Sequence, residues 1–515
     1  MAISTTQGTL ITLYRGVPLD MSYNQTVYLS SNSAQTSFFN RYYATNFNNQ
    51  SYQRVNKNTL RIATDESSIL NCNYMSFNNL LTNGTSKTIY AFITNIRYVS
   101  NTVTEVDYEI DHLQTWLVEM LNNLEPCFVE RMHAASDGVG SNIVPEPISS
   151  IDYHDSWISA PNSVNATSIY IAATFNKNFE DATGGFVNGV YSGLAYNLFT
   201  TAGEANAFLY DAVDKNLTDG IVSIFMAPDF LRTSSGGDNF AASYNVSIRR
   251  PTTCDTYSPK NNKLFTYPFS YILYDNLNGG VSEYKFEQFS NSNTCYFTYY
   301  GSLSCKPEVL LVPRNYAGSE INYNCGNYIS GYPQCPYATD AFKAWLAQNK
   351  FQLGVAGASA ATSAALSAIG LSGGNPVGIL AGAGMLLNSA KNVSQLGAQI
   401  RDMSTRANTA HTANSGTINL AINESAGGFV VRTPNTNSAI IIDAFFTRYG
   451  YAQQRIMPLN LHARPHWTYV KTSGFVAKGN IPAYAAAKIN AIMDAGITFW
   501  NSSSDIGNYS LDNSV

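Results

Sequence analysis

The chain has 515 residues, of which 45% are hydrophobic and only 13% charged, and its formal net charge is −5. That length exceeds one ordinary core and predicts two to four domains. The mild acidity excludes a sequence-reading nucleic-acid binder, which needs a basic patch for phosphates, but does not exclude a wall that nucleic acid passes without being held. The charged share is about half that of an average globular protein, and 34 tyrosines stand beside abundant Asn, Ser and Thr. Uncharged polar faces suit large areas buried between subunits, because desolvating charge is costly. A secreted or surface β-protein with an uncharged coat is the plainer alternative. Met1 leads into a polar run, Ala2 to Gln7, without the basic and apolar stretches of a secretory signal, so folding in a cytosol is expected. The seven cysteines include no CxxC. Cys295/Cys305 and Cys325/Cys335 could bracket hairpins, but reduced thiols are expected in that compartment.

Residues 1–135 read as β. Lys87 to Val99 is a run of β-branched and aromatic residues, and Ser100-Asn101-Thr102 makes a turn. From Val103 the pattern alternates: Val106, Tyr108 and Ile110 fall on one side, Glu105, Asp107, Glu109 and Asp111 on the other. Period two predicts a hairpin with one acidic face, either an ordinary solvated surface or a stripe that symmetry would multiply into rings inside a tube. His112 to Asn122 turns helical, Pro126 stops it, Cys127 to Met132 is a further strand, and 137–147 reads as a linker. Residues 150–340 hold short β runs, such as Ser168 to Thr174, between Gly/Asn/Ser/Pro turns, with a helical piece near 202–214.

Asp340 to Lys350 then predicts an amphipathic helix. From Phe351 to Ala390 no residue is charged, and Ala, Gly, Ser and Leu dominate. Ser372 to Pro376 splits the run into two arms, predicting a helical hairpin; an arm of this length spans about 30 Å, one bilayer core. Its small residues suit close packing of helices, in lipid or in a protein core. Val393, Leu396, Ile400 and Met403 continue at the spacing of a helix packed on another helix. Ala439 to Tyr451 reads as a strand or strand pair, Ala483 to Gly496 as a helix, and Ile497 to Trp500 as the start of a last strand.

Little here carries chemistry. His462 and His466 have the spacing of a zinc pair on a helix, but Pro465 between them opposes the helix. Gly370-Leu371-Ser372-Gly373-Gly374 fits Gly-x-Ser-x-Gly, yet a helical run precedes it and Asn375-Pro376 follows, so a plain turn is expected instead of a nucleophile elbow. No phosphate loop is present. Neither catalytic residues, metal ligands nor a cofactor site are expected.

Tyr90-Ala91-Phe92, Tyr108-Glu109-Ile110-Asp111, Leu113-Gln114-Thr115-Trp116 and Phe128-Val129-Glu130-Arg131 lie in an order that resembles the N-terminal block of tail knob proteins from small short-tailed, protein-primed bacteriophages. Phe446 with Tyr449-Gly450-Tyr451, Gly496-Ile497-Thr498 with Trp500, and Ile506 to Ser510 are similar to that family's ending. The resemblance covers about the first 135 and last 75 residues. It implies a structural protein of the virion tail, assembled in the host bacterial cytoplasm: a homohexameric tube of β-barrel-type domains through which phage DNA passes without sequence recognition. The implied partners are further copies of the chain, collar- or connector-side and tail-tip proteins, and the host membrane on ejection. The implied lumen plug, which leaves on ejection and forms a membrane pore, maps onto Phe351, Leu353, Val355, Leu366, Ile369, Leu371, Val377, Ile379, Leu380, Met385, Leu386 and Leu387. The implied lumen wall offers a place for the acidic stripe of Glu105, Asp107, Glu109 and Asp111.

The expected fold is therefore mainly β with some α, plus an apolar Ala/Gly-rich helical hairpin. The expected divisions are an N-terminal tube domain at 1–140, a second β-rich region at 141–340, the apolar hairpin at 341–425, and a C-terminal block at 426–515 that completes the upper tube. The competing readings are a tail-associated hydrolase of cell wall or surface glycan, and a receptor-binding protein.

Overall fold

The computed structural model of the chain describes residues 9–329 and 426–515, apart from short interruptions of which the longest are 175–182 and 232–242. The described elements are mainly strands with a few helices, in line with the expected class. They form two compact units: 1–150, 257–264 and 436–515 in the first, 151–256 and 265–435 in the second. The expected hairpin 351–390, with all twelve of its named side chains, lies outside the described residues, as do the helix expected at 340–350 and the repeat at 393–403. Among the described residues no helix is long and apolar enough to cross a membrane.

The first unit opens with β1 (Thr9–Arg15), β2 (Thr26–Val27), α1 (Asn32–Asn40), β3 (Tyr43–Gln50), β4 (Arg54–Asn56), β5 (Thr59–Ile62) and α2 (Glu66–Ile69). There follow β6 (Cys72–Leu80), β7 (Ser86–Ser100), β8 (Val103–Ile110), α3 (His112–Asn122) and β9 (Cys127–Met132). Seven of these strands make one sheet in the order β3-β1-β6-β7-β8-β5-β4. Alternation buries Ile11, Leu13, Leu60, Ile62, Met75, Ile89 and Val106 in one cluster that, among the described residues, draws only on this sheet and on Ile69 of α2. A sheet whose strands bury one another's side chains this way must curl over its own apolar face.

The second unit contains β10 (Tyr153–Ser159), β11 (Ile169–Thr174), β12 (Thr183–Val187), β13 (Val190–Phe199), β14 (Ile221–Ala227), β15 (Ser243–Arg249), β16 (Tyr271–Asp275) and β17 (Val281–Tyr284). It continues with β18 (Thr294–Ser302), β19 (Glu308–Tyr316), β20 (Ser319–Ile321), β21 (Asn327–Ile329) and β22 (Gly428–Pro434). Its strands form a four-stranded sheet β10-β22-β16-β17, another β12-β13-β11-β14, and a third made of β15, β18, β19, β20 and β21. Tyr274, Tyr284, Phe297, Tyr299 and Phe429 fill its interior with tilted and edge-to-face ring contacts. β22 was grouped with the C-terminal block from sequence, but it pairs inside this unit, so that block enters the first unit only at residue 436.

The chain returns to the first unit with α4 (Thr436–Tyr449), β23 (Tyr451–Met457), β24 (Trp467–Ser473), α5 (Ala483–Ala495) and β25 (Ile497–Trp500). The sheet β2-β25-β24-β9-β23 interleaves strands from both ends of the chain. One core likewise joins Phe39, Tyr74, Phe92, Trp116 and Leu117 to Val470, Ile489, Met493 and Phe499. The N- and C-terminal blocks are thus a single folded body.

The strand read at 439–451 is a helix over 436–449, and only β23 after it is extended. Consecutive isoleucines suggested β structure, but Ala439, Ile442, Asp443 and Phe446 are buried at helical spacing. Gly450 ends the helix at φ +66°, and a Cβ there would meet the backbone of Met132 and His133 at 2.5 Å. Only glycine fits both demands.

Candidate functional site

The acidic alternation lies on β8, a central strand flanked by β7 and β5. Glu105 stands opposite Arg97 of β7 and Arg61 of β5, and Asp107 opposite Thr59. Arg61 donates to Glu105 at 2.8 Å through Nε, and its other nitrogen lies at the same distance. Arg97 reaches Asp107 at 2.8 Å and Glu105 at 3.4 Å. Thr59 Oγ1 donates to Asp107 at 2.6 Å. Glu109 is exposed toward the strand's end. The face is therefore a cross-strand ladder of mixed charge: Arg61 and Arg97 against Glu105, Asp107 and Glu109 leave one net negative charge.

Sequence reasoning missed Arg61 because β5 and β8 pair across more than 40 residues of chain, and Arg97 because a bulge sets its register. With no irregularity after the Ser100–Val103 pair, Arg97 would stand opposite Val106, on the other face. The shift between Tyr98 and Ser100 moves it opposite Glu105.

Asp111 does not belong to this exposed face. It is 1% exposed and is the N-cap of α3, accepting from Gln114 N at 2.9 Å and from Tyr74 Oη at 2.9 Å. Tyr23 Oη also donates to it at 3.4 Å. Burial pushes its carboxyl up to about 6, against the opposing pull of these hydrogen bonds. Burial and the neighbouring carboxylate together raise Tyr74 and Tyr23 well above the ordinary phenol range.

A second buried carboxylate holds the first unit together. Asp443 of α4 accepts from Tyr257 Oη at 2.8 Å, Lys260 N at 2.8 Å, Asn261 N at 3.0 Å and Asn261 Nδ2 at 2.8 Å. These bonds explain why 257–264 belongs to this unit. The stretch read as a linker at 137–147 is likewise anchored: Glu146 pairs with Arg131 and accepts from Ala452 N at 2.9 Å. His133 is fixed neutral, its Nδ1 accepting from Tyr469 N at 2.8 Å and its Nε2 facing Thr447 O at 3.0 Å.

His462 and His466 do not converge on a metal position. His462 Nδ1 is bonded to Asn501 at 2.7 Å and His466 Nδ1 to Asp505 at 2.8 Å, so both histidines fasten the C-terminal segment. No metal-binding group of side chains occurs among the described residues. Cys72, Cys127, Cys295 and Cys325 are free thiols. Gly370 to Gly374 lies outside the described residues.

Residues 236–514 match the family defined by the C-terminal domain of tail knob protein gp9 from Bacillus phage phi29. Residues 6–122 match the N-terminal family of caudoviral major tail proteins. Over its whole length and theirs, the chain is 23% identical to tail knob protein gp9 of Bacillus phages phi29 and PZA, and 22% identical to that of phage B103. In fold it is similar to the tail knob protein gp12 of bacteriophage C1, with a TM-score of 0.61 at 12% identity over 98% of this chain and 99% of that one. Because the first of these matches spans more than half of the sequence, the chain belongs to the phi29 gp9 tail knob family, structural proteins of the phage tail and not enzymes.

Proposed function

We propose that six copies of this chain close into a ring at the distal end of the phage tail and form the conduit through which the genome leaves. The observation that carries this reading is the tail knob family match over residues 236–514. The low charge content supports it, since neutral faces are cheap to bury between copies. So do apolar side chains left exposed on the first unit, such as Ile441 at 70% and Ile456 at 73%. The ring would contact other tail proteins above and below it.

The ladder of Arg61, Arg97, Glu105, Asp107 and Glu109 is assigned to the lumen wall. A nearly neutral, internally paired surface neither traps phosphates nor strongly repels them, which suits DNA in transit. The uncharged segment 351–390 is assigned to the lumen as a plug, where copies bury their apolar faces against each other. On release, a host bilayer offers those faces a second place to be buried.

Dye leakage from liposomes tests the membrane step, comparing the full chain with a version lacking 351–390 from neutral to mildly acidic pH. Leakage that disappears with the deletion is expected. Equal leakage from both proteins, or none from an assembled oligomer at any pH, would remove the pore step and leave a plugged conduit.

A further inference from the structure

We propose that β10 and β17, the two open edges of the four-stranded sheet, pair with each other between neighbouring copies of the chain, so that the sheet runs on from subunit to subunit. This inference rests on the ring reading above and identifies a surface through which copies meet.

The strand directions suit such a pairing. In the order β10-β22-β16-β17 every adjacent pair is antiparallel. With four strands, β17 runs opposite to β10. A rotation about an axis along the strands keeps their direction. It therefore brings β17 of one copy beside β10 of the next as an antiparallel pair, the more stable ladder. A sheet with an odd number of strands would not meet itself in this way.

β10 also lacks the features that protect an unpaired edge. Isolated edges are normally blunted by Pro, Lys, bulges or free charge. β10 has seven consecutive pairs with β22 and no bulge. Its sequence, Tyr153 to Ser159, contains neither Pro nor Lys. Its one carboxylate, Asp155, is held within the sheet by Arg432 at 2.6 and 2.7 Å.

Both strands also leave apolar side chains exposed. All seven residues of β10 are exposed, among them Tyr153 at 36%, Trp157 at 47% and Ile158 at 41%. Trp157 and Ile158 are successive, so they stand on opposite faces of the strand. Apolar groups on both faces suit a strand that is covered on both sides in the assembly. β17 carries Val281 at 59% exposure. Among the described residues no further strand pairs with either of them; Asn327 of β21 reaches β17 only through its side chain, donating to Ser282 Oγ at 3.1 Å. Pairing of β10 with β10 would also be antiparallel, but it closes a dimer and leaves β17 open.

Cysteine cross-linking in the full chain tests this. One cysteine is placed on β10, at Ser156 or Trp157, and one on β17, at Val281 or Ser282, in the four combinations that cover both faces. The assembled proteins, sized by light scattering, are mildly oxidised and run on non-reducing gels beside the parent, which supplies the background of the native cysteines. At least one combination should give a ladder of multimers above that background, while the β10 cysteine alone gives none. Dimers from the β10 cysteine alone would overturn the head-to-tail pairing. A ring that forms without cross-linking in any combination would overturn the inference while the ring reading stands. A chain that remains monomeric contradicts both.

Discussion

Asp443 and Asp111 are both buried carboxylates, held by different segments of the chain. Asp443 accepts four hydrogen bonds from a segment that reaches it from 182 to 186 residues away in sequence. Asp443→Ala leaves buried donors without an acceptor, and the first unit should lose about 3 kcal/mol or more, read as a lower urea midpoint at unchanged slope. Asp111 takes up its proton at about 6 in the folded chain instead of the ordinary 3.8. Its contribution to stability is therefore full below pH 3.8 and lost as pH rises through 6, by up to about 3 kcal/mol. His133 acts the other way. Burial, then the Arg464 charge, lowers its imidazole from 6.5 to about 3, so its contribution is full above pH 6.5 and lost as pH falls toward 3. Between pH 6 and 4 the two oppose each other. Asp111→Asn keeps an oxygen for Gln114 N and removes only the first contribution. The variant should lose more stability than the parent on acidification from pH 6.5 to 4; parallel losses would contradict this assignment.

At the scale of elements, the hairpin β7–β8 and the ladder across it decide what the acidic strand can do. Replacing Glu105, Asp107 and Glu109 by Lys leaves Arg61 and Arg97 without partners and makes the face strongly basic. If the face lines the conduit, particles with this triple change should eject DNA more slowly, and added salt should restore the rate by screening. Unchanged ejection at low salt would place the face elsewhere. The hairpin, α3, β9, α5 and β25 were all legible from period, turn and cap, because local pattern and tertiary burial agree there: the periodic apolar residues of α3, Leu113, Trp116, Leu117 and Met120, are all buried. The ladder was only half legible, since one bulge beyond the reach of pattern reading turns Arg97 toward Glu105. Asp111 continued the alternation in sequence, but the strand ends at Ile110 and the next residue becomes a cap. α4 was misread because Ile440 and Ile441 add apolar character on a side of the helix that the first unit does not bury. Propensity then pointed to a strand where spacing pointed to a helix.

For the whole molecule, the joining of the two chain ends in one core and one sheet constrains any change to either end. Trp500 is fully buried and its Nε1 donates to Asn24 O at 3.1 Å, while Phe499 pairs with Thr26 and with Thr468. Truncation before Ile497 removes β25 from the middle of the sheet. It should abolish cooperative unfolding of the first unit, observed by calorimetry as loss of a transition; a retained transition would show that the N-terminal block folds alone. A ring-shaped tail conduit is a property of several copies of the chain together. Electron cryomicroscopy of the purified, assembled protein tests it most directly. A closed ring of six copies around an axial channel is expected, with the second-unit sheets continuous from copy to copy. A monomer, a closed dimer, or a ring without an axial channel would contradict it.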